Sequence, residues 1–319
     1  MPVGSAKNAR VRGPIGNILQ GWCPGRALTQ AAWQGLLGAV PMLGACGPDA
    51  ACMAALQRQI RAAGLGKAEP LGRGWLQLGA AAWRHPALLP LRSHLAECML
   101  GTLQHGQWKA DMCDIRVLIA YGPHDQPPHL DGLHPEMGEH QRFAVLVLTP
   151  GEQGTFYLSP TSAVGAAFTD RREAHYTAFR RANAQLRSGD RLTRLAESQL
   201  MHPTEIAVYR TLLGLRSEHF QPVVARDGHA PLLRLDWPHF GPGCRAAEGG
   251  QGGVARVVLF APFLAVGTGR ALYEVDEQFY PIEKFTALAG ECADSRASAE
   301  YWEARSLSRS PFVCGKAKK

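Results

Sequence analysis

Two residues set one apart, His129 and Asp131, lie in the stretch YGPHDQPPHLDGLHPE (121–136) and bring an imidazole nitrogen and a carboxylate oxygen to one loop. That pair suits divalent iron, and on extended backbone curled around an ion it can occupy one face of the coordination sphere. A lone H-x-D arises often by chance, so the weight rests on what accompanies it. His239, near the end of PLLRLDWPHFGPGC, offers a third ligand, and Arg256 follows in ARVVLF after a glycine-rich loop (241–253). Two histidines and one carboxylate leave three coordination positions for a chelating co-substrate and dioxygen. An arginine in the same pocket can take a carboxylate through two parallel hydrogen bonds, as a dicarboxylate co-substrate requires.

The elements around these residues are those that could hold them. Residues 27–105 carry apolar side chains at three- and four-residue spacing, as in ALTQAAWQGLLGAV and DAACMAALQRQIRAAG, and read as helices. From Asp114 the texture changes to short β-branched runs bounded by Gly and Pro at 115–121, 143–149, 155–158, 231–236 and 254–260. Such runs predict a small sandwich or barrel. An insertion at about 163–219, containing YTAFRRANAQLRSGDRLTRLAESQL, returns to helical periodicity. The chain thus divides into a mainly helical region, 1–110, packing on a β-rich domain, 111–319, that contains the insertion. Trp33, Trp75, Trp83 and Trp108 are expected in the core, and Arg171, Arg172, Arg180 and Arg181 on a solvated helical face.

With these residues in order, H-x-D, a strand, QGTFYL, a strand ending in H-F-GPG and then R-V-V-L-F, the chain over roughly 114–263 resembles the 2-oxoglutarate/Fe(II)-dependent dioxygenase superfamily. The resemblance implies an α+β fold: a double-stranded β-helix (jelly-roll) core with N-terminal helices and a helical insertion. It implies Fe(II) held by His129, Asp131 and His239, and 2-oxoglutarate held at its distal carboxylate by Arg256, with Tyr121 as a further co-substrate residue. Dioxygen is then the oxidant, ascorbate an accessory reductant, and hydroxylation with release of succinate and CO2 the usual outcome. The gaps from Asp131 to His239 and from His239 to Arg256 are longer than in compact members; inserted loops of this kind are thermodynamically tolerated. Arg245 is the substitute for Arg256, and His202, His219 and His229 are rivals for the third ligand. His124, Asp125, His134 and Glu136 read as turn or surface residues, or as outer partners of the ligands.

Composition bounds the remainder. A net charge of +7 and a pI near 9.1 favour anionic partners, which leaves an acidic small molecule, a nucleobase substrate and, with weaker support, nucleic acid. The eight cysteines form no CxxC pair and read as reduced thiols. No apolar run is long enough to span a membrane, so the expectation is an intracellular protein, cytoplasmic or nuclear, with organellar targeting by the basic N-terminus left open. Three rivals stand beside the oxygenase. One is a cupin-like metal enzyme independent of 2-oxoglutarate, using Gly122, His129, His134 and Glu136. The others are a non-catalytic jelly-roll binding module and a basic nucleic-acid-binding protein.

Overall fold

The computed structural model describes residues 15–20, 24–45, 47, 50–71, 74–98, 102–103, 106–110, 115–132, 141–152, 154–184, 203–223, 229–244 and 253–265. In chain order the elements are β1 (Ile15–Gln20), α1 (Arg26–Ala39), α2 (Ala50–Ala62), β2 (Ala68–Pro70), β3 (Trp75–Leu78), α3 (Ala80–Trp83), α4 (Leu89–Cys98), β4 (Thr102–Leu103), β5 (Gly106–Ala110) and β6 (Arg116–Ala120). There follow β7 (Gln141–Val147), β8 (Phe156–Leu158), α5 (Ala163–Ala184), α6 (Pro203–Leu213), β9 (Phe220–Pro222), β10 (His229–Arg234), β11 (His239–Phe240) and β12 (Arg256–Ala265). None of the described helices is long and apolar enough to cross a membrane.

The strands form two antiparallel sheets, an arrangement compatible with a jelly-roll-like core. The larger runs β1-β10-β7-β12-β6-β3-β2, with β5 also on β12 and β4 on β5. The smaller runs β11-β8-β9, and a bridge between His129 and His239 extends it beside β11. β12 organises the larger sheet: it pairs with β6 over Arg256–Phe260 and with β7 over Val258–Leu264.

Strand alternation separates two cores. On one side of the larger sheet Val257, Leu259, Ala261 and Phe263 of β12 pack with Val117, Ile119, Ala144 and Leu146 against Trp33, Leu36, Ile60, Trp83 and Leu91 of the helical layer. The opposite parity contributes Phe143 to a second core, with Leu158, Phe220 and Phe240 of the smaller sheet and Phe168, Val208 and Leu212 of α5 and α6. Burying each large apolar side chain contributes about 1.5–3 kcal/mol, so both layers on the larger sheet are strongly held.

The structure departs from the sequence expectation in three places. Residues 15–110 carry strands as well as helices, and β1 and β3 extend the larger sheet directly. WLQL of β3 is too short to reveal its period, yet it buries Trp75, Leu76 and Leu78. The run expected to be extended through 236 ends at Arg234, because Trp237 N–H turns back to the Arg234 carbonyl at 3.3 Å. Arg172, expected in solvent, is 1 % exposed, whereas Arg171 reaches the hydroxyl of Thr211 on an exposed face. Trp33, Trp75 and Trp83 are buried as expected, and the side chain of Trp108 lies outside the described residues.

Candidate metal centre

The site is assembled by two chain segments that meet backbone to backbone. His129 N–H donates to the His239 carbonyl at 3.0 Å, and His239 N–H returns a bond to the His129 carbonyl at 3.1 Å. Pro127 and Pro128 stiffen the approach to His129. Asp131 N–H then donates to the Leu235 carbonyl at 2.9 Å, which holds the carboxylate-bearing residue against the turn that follows β10.

The GPG after His239 has a steric reason. The Gly241 carbonyl accepts from Gln126 N–H at 2.9 Å, Gly243 N–H donates to Asp125 Oδ1 at 2.9 Å, and Cys244 N–H donates to the Gly122 carbonyl at 3.0 Å. A Cβ on Gly243 would stand 2.5 Å from the Pro123 carbonyl carbon, and one on Gly241 would stand 2.7 Å from Gln126 Oε1. The loop before His129 and the loop after His239 are thus zipped together, and only glycine permits the approach.

Each imidazole is pinned by its far nitrogen. His129 Nδ1 lies 2.9 Å from the Pro127 carbonyl and His239 Nδ1 lies 2.9 Å from the Trp237 carbonyl. A carbonyl only accepts, so Nδ1 carries the hydrogen and Nε2 is left to present a lone pair in the neutral ring. Both Nε2 atoms face Asp131: His239 Nε2 is 3.2 Å from Oδ2 and His129 Nε2 is 3.8 Å from Oδ1. The 3.8 Å contact is too long for a hydrogen bond, and Oδ2 is buried without a well-formed hydrogen bond among the described residues. Ligand atoms of His129, Asp131 and His239 all lie within 4.8 Å of one another. The His239 ring is backed by Phe143 at 4.7 Å between centroids, and Phe143 stacks on Phe260 at 5.1 Å.

Electrostatics show the same demand for a cation. Burial works against the Asp131 carboxylate, but His239, His129 and Arg116 outweigh it and hold its pKa below the ordinary value. Burial likewise opposes charge on His239, yet Asp131 raises its pKa overall, a proton standing where a metal would. His129 is pushed down to about 4, first by burial and then by His239. Its side chain keeps 27 % exposure, and the solvent reaching that edge works against so deep a shift. Two neutral nitrogens and one carboxylate converging in an apolar cradle fit a divalent transition metal, with the Nδ1–carbonyl bonds as the orienting outer partners.

The other expected residues are held by further parts of the fold. Arg256 is 1 % exposed at the start of β12, 5.7 Å over the Trp75 ring, and its neighbours include Glu152 and Asp125. Burial lowers its pKa to about 10, against the opposing effect of those two acids. Tyr121 belongs to the core shared with the helices, where its hydroxyl donates to Met53 Sδ at 3.0 Å. That places it with the helical layer, while Phe143 beside His239 belongs to the other core. His219 accepts from Arg216 N–H in a short helical turn and does not join the metal group, whereas the side chain of His229, at the start of β10, lies outside the described residues. His134, Glu136, His202 and Arg245 lie outside the described residues.

Sequence reasoning missed Arg116 and Asp236. Arg116 opens β6, is 8 % exposed, and acts electrostatically on Asp131. Asp236 is wholly buried between the two residues whose carbonyls hold Asp131 and His239. The acid in PLLRLDW was a usable signal, since a carboxylate set in an apolar run needs buried partners.

No family model matches the chain, and no curated protein does. Among solved structures, a nickel complex of the non-heme monooxygenase ThoJ is 14 % identical, with a TM-score of 0.32, over 80 % of this chain and 76 % of that one. HygX from Streptomyces hygroscopicus with nickel and 2-oxoglutarate is 11 % identical, with a TM-score of 0.36, over 78 % of this chain and 82 % of that one. The same enzyme with hygromycin B also bound gives the same values. Likenesses this distant leave the reading of the site to its own geometry.

Proposed function

We propose that this chain is an Fe(II)- and 2-oxoglutarate-dependent oxygenase that hydroxylates a small, anionic molecule or a nucleobase. The observation that carries the reading is the convergence of His129 Nε2, His239 Nε2 and the Asp131 carboxylate, with both Nδ1 atoms tied to backbone carbonyls. Support for a double-stranded β-helix comes from the strand order: β6-β12-β7-β10 in one sheet, and the His129 bridge with β11-β8-β9 in the other.

Iron with 2-oxoglutarate and dioxygen would supply the oxidising chemistry, releasing succinate and CO2, and ascorbate would serve to keep the metal reduced. The chain's own work is to hold and shield. His129, Asp131 and His239 would hold the metal, Phe143 and Phe260 keep water from the His239 side, and the Nδ1–carbonyl bonds fix ring orientation. Two arginines are candidates for the distal carboxylate. Strand order favours Arg256; the electrostatic reach to Asp131 favours Arg116. Tyr121, whose hydroxyl donates to Met53 Sδ, is the further candidate for holding the co-substrate.

The test is anaerobic titration of the metal-stripped protein with Fe(II) and 2-oxoglutarate, watching the visible charge-transfer band of the chelate. The band is expected in the native protein and absent in His129→Ala. Arg256→Ala and Arg116→Ala decide the carboxylate partner, as the correct one raises the 2-oxoglutarate concentration needed. Iron uptake without a band would favour the cupin-like alternative, and no iron uptake would leave a binding module.

A further inference from the structure

The insertion helix α5 buries an arginine for which the metal chemistry has no use. Arg172 is 1 % exposed, and burying a guanidinium is costly unless its charge is paired and its donors are filled. The nearest carboxylate is Asp236, which is already engaged. Arg234 Nε donates to its Oδ1 at 2.7 Å and Arg234 Nη2 to its Oδ2 at 2.7 Å, while the Tyr176 hydroxyl also donates to Oδ2. Arg172 is left with Nη1 at 3.6 Å from Asp236 Oδ2 and Nη2 at 3.4 Å from Glu173, whose side chain is 54 % exposed. Its Nε and Nη1 have no hydrogen-bond partner among the described residues.

The guanidinium is nevertheless held in place, 5.1 Å over the Trp237 ring and 6.0 Å over that of Tyr176. Such clamping preserves a planar fork for a ligand with two oxygens. Three guanidinium groups gather around the single buried carboxylate of Asp236: Arg142 is lowered to about 10, first by burial and then by Arg234, with Asp236 and Tyr176 opposing and Arg172 adding to the effect. A buried, oriented cation with unfilled donors in a positive field is arranged to receive an anion. The neighbourhood borders the metal group, for Asp236 lies between Leu235, whose carbonyl holds Asp131, and Trp237, whose carbonyl holds His239.

We propose that Arg172, backed by Arg234 and Arg142, forms an oxyanion subsite for a carboxylate or phosphate group of a bound small molecule. That this molecule is the one oxidised rests on the metal reading; the subsite itself does not.

The test uses full-length protein stripped of metal, so its result is separate from that of the iron titration. Thermal unfolding is followed against inorganic phosphate and, in parallel, acetate, at constant ionic strength. The native protein should show a saturable rise of a few degrees in Tm, and the probe that saturates at lower concentration identifies the group. Arg172→Met should need at least tenfold more anion, Arg172→Lys should fold normally and respond weakly, and Arg171→Met should match the native protein. Without anion, Arg172→Met should unfold no lower than the native chain, since it removes an incompletely paired buried charge. A native protein insensitive to both probes, or an Arg172→Met that is destabilised without anion yet responds normally, would overturn the proposal.

Discussion

His129 and His239, far apart in sequence, exchange two backbone hydrogen bonds of 3.0 and 3.1 Å, and their rings lie 4.5 Å apart between centroids. The spacing of the two imidazoles is therefore set by sheet geometry rather than by side-chain contact. Replacing either ring should leave the backbone bridge and the fold intact while removing a ligand. His129→Ala and His239→Ala should each weaken metal binding by more than the roughly 10–100-fold that loss of an outer-shell partner costs. Circular dichroism should be unchanged, and calorimetric titration with Co(II) or Fe(II) should read the loss. A variant that binds metal normally would remove that histidine from the site.

The zipped loops make a second prediction. Gly243→Ala brings a Cβ to 2.5 Å from the Pro123 carbonyl carbon and 2.8 Å from the Gly122 oxygen. Backbone cannot yield as a flexible side chain can, so the loop after His239 must shift. Overpacking of this kind costs about 1–3 kcal/mol, measurable as a lower denaturant midpoint, and metal affinity should fall with it. Gly38→Ala, where a Cβ meets nothing within 4 Å, is the control and should be neutral or stabilising.

These two cases show what could be read from the chain and what could not. H-x-D, the later histidine and the GPG turn were legible because ligand type and glycine punctuation are local signals. The helical insertion and five strand runs were legible from their periods, though β10 ends at Arg234, where Trp237 N–H turns back to the carbonyl. Arg172 was misread because arginine's usual place is solvent, and only the tertiary contacts of α5 with Trp237 and Tyr176 bury it. Arg116 was missed because its relation to Asp131 depends on strand pairing across β12, which no local pattern encodes.

Cys244 gives a chemical test of the packing around the same turn. Its thiol is pushed up to about 12, first by burial and then by Glu152. The thiolate is the reactive species, so at pH 8 Cys244 should be inert to iodoacetamide in the folded protein. Cys52 is only partly buried on α2 and should label first. Peptide mapping after timed alkylation reads both sites. Rapid labelling of Cys244 without denaturant would mean that the loop between His239 and β12 opens freely in solution.

Asp236 supplies the pH dependence. Burial opposes its charge, but hydrogen bonds and attraction from Arg234, followed by Arg172, hold its pKa below the ordinary carboxylate value. A depressed carboxylate contributes stability that is present above its unfolded pKa and lost as pH falls towards the folded one. The native protein should therefore lose stability as pH drops below about 4, the unfolded value. Asp236→Asn should lose this part of the acid dependence. At neutral pH it should also be weaker by roughly 3–5 kcal/mol, because it leaves buried guanidinium charge without its counter-ion. Metal affinity should decline as well, since the turn from Leu235 to Trp237 carries the carbonyls that hold Asp131 and His239. Urea unfolding at pH 7 and at about pH 3, below the unfolded carboxylate value, separates the two effects. An Asp236→Asn variant as stable as the native chain at pH 7, with the same acid profile, would mean that the carboxylate contributes nothing to holding this turn.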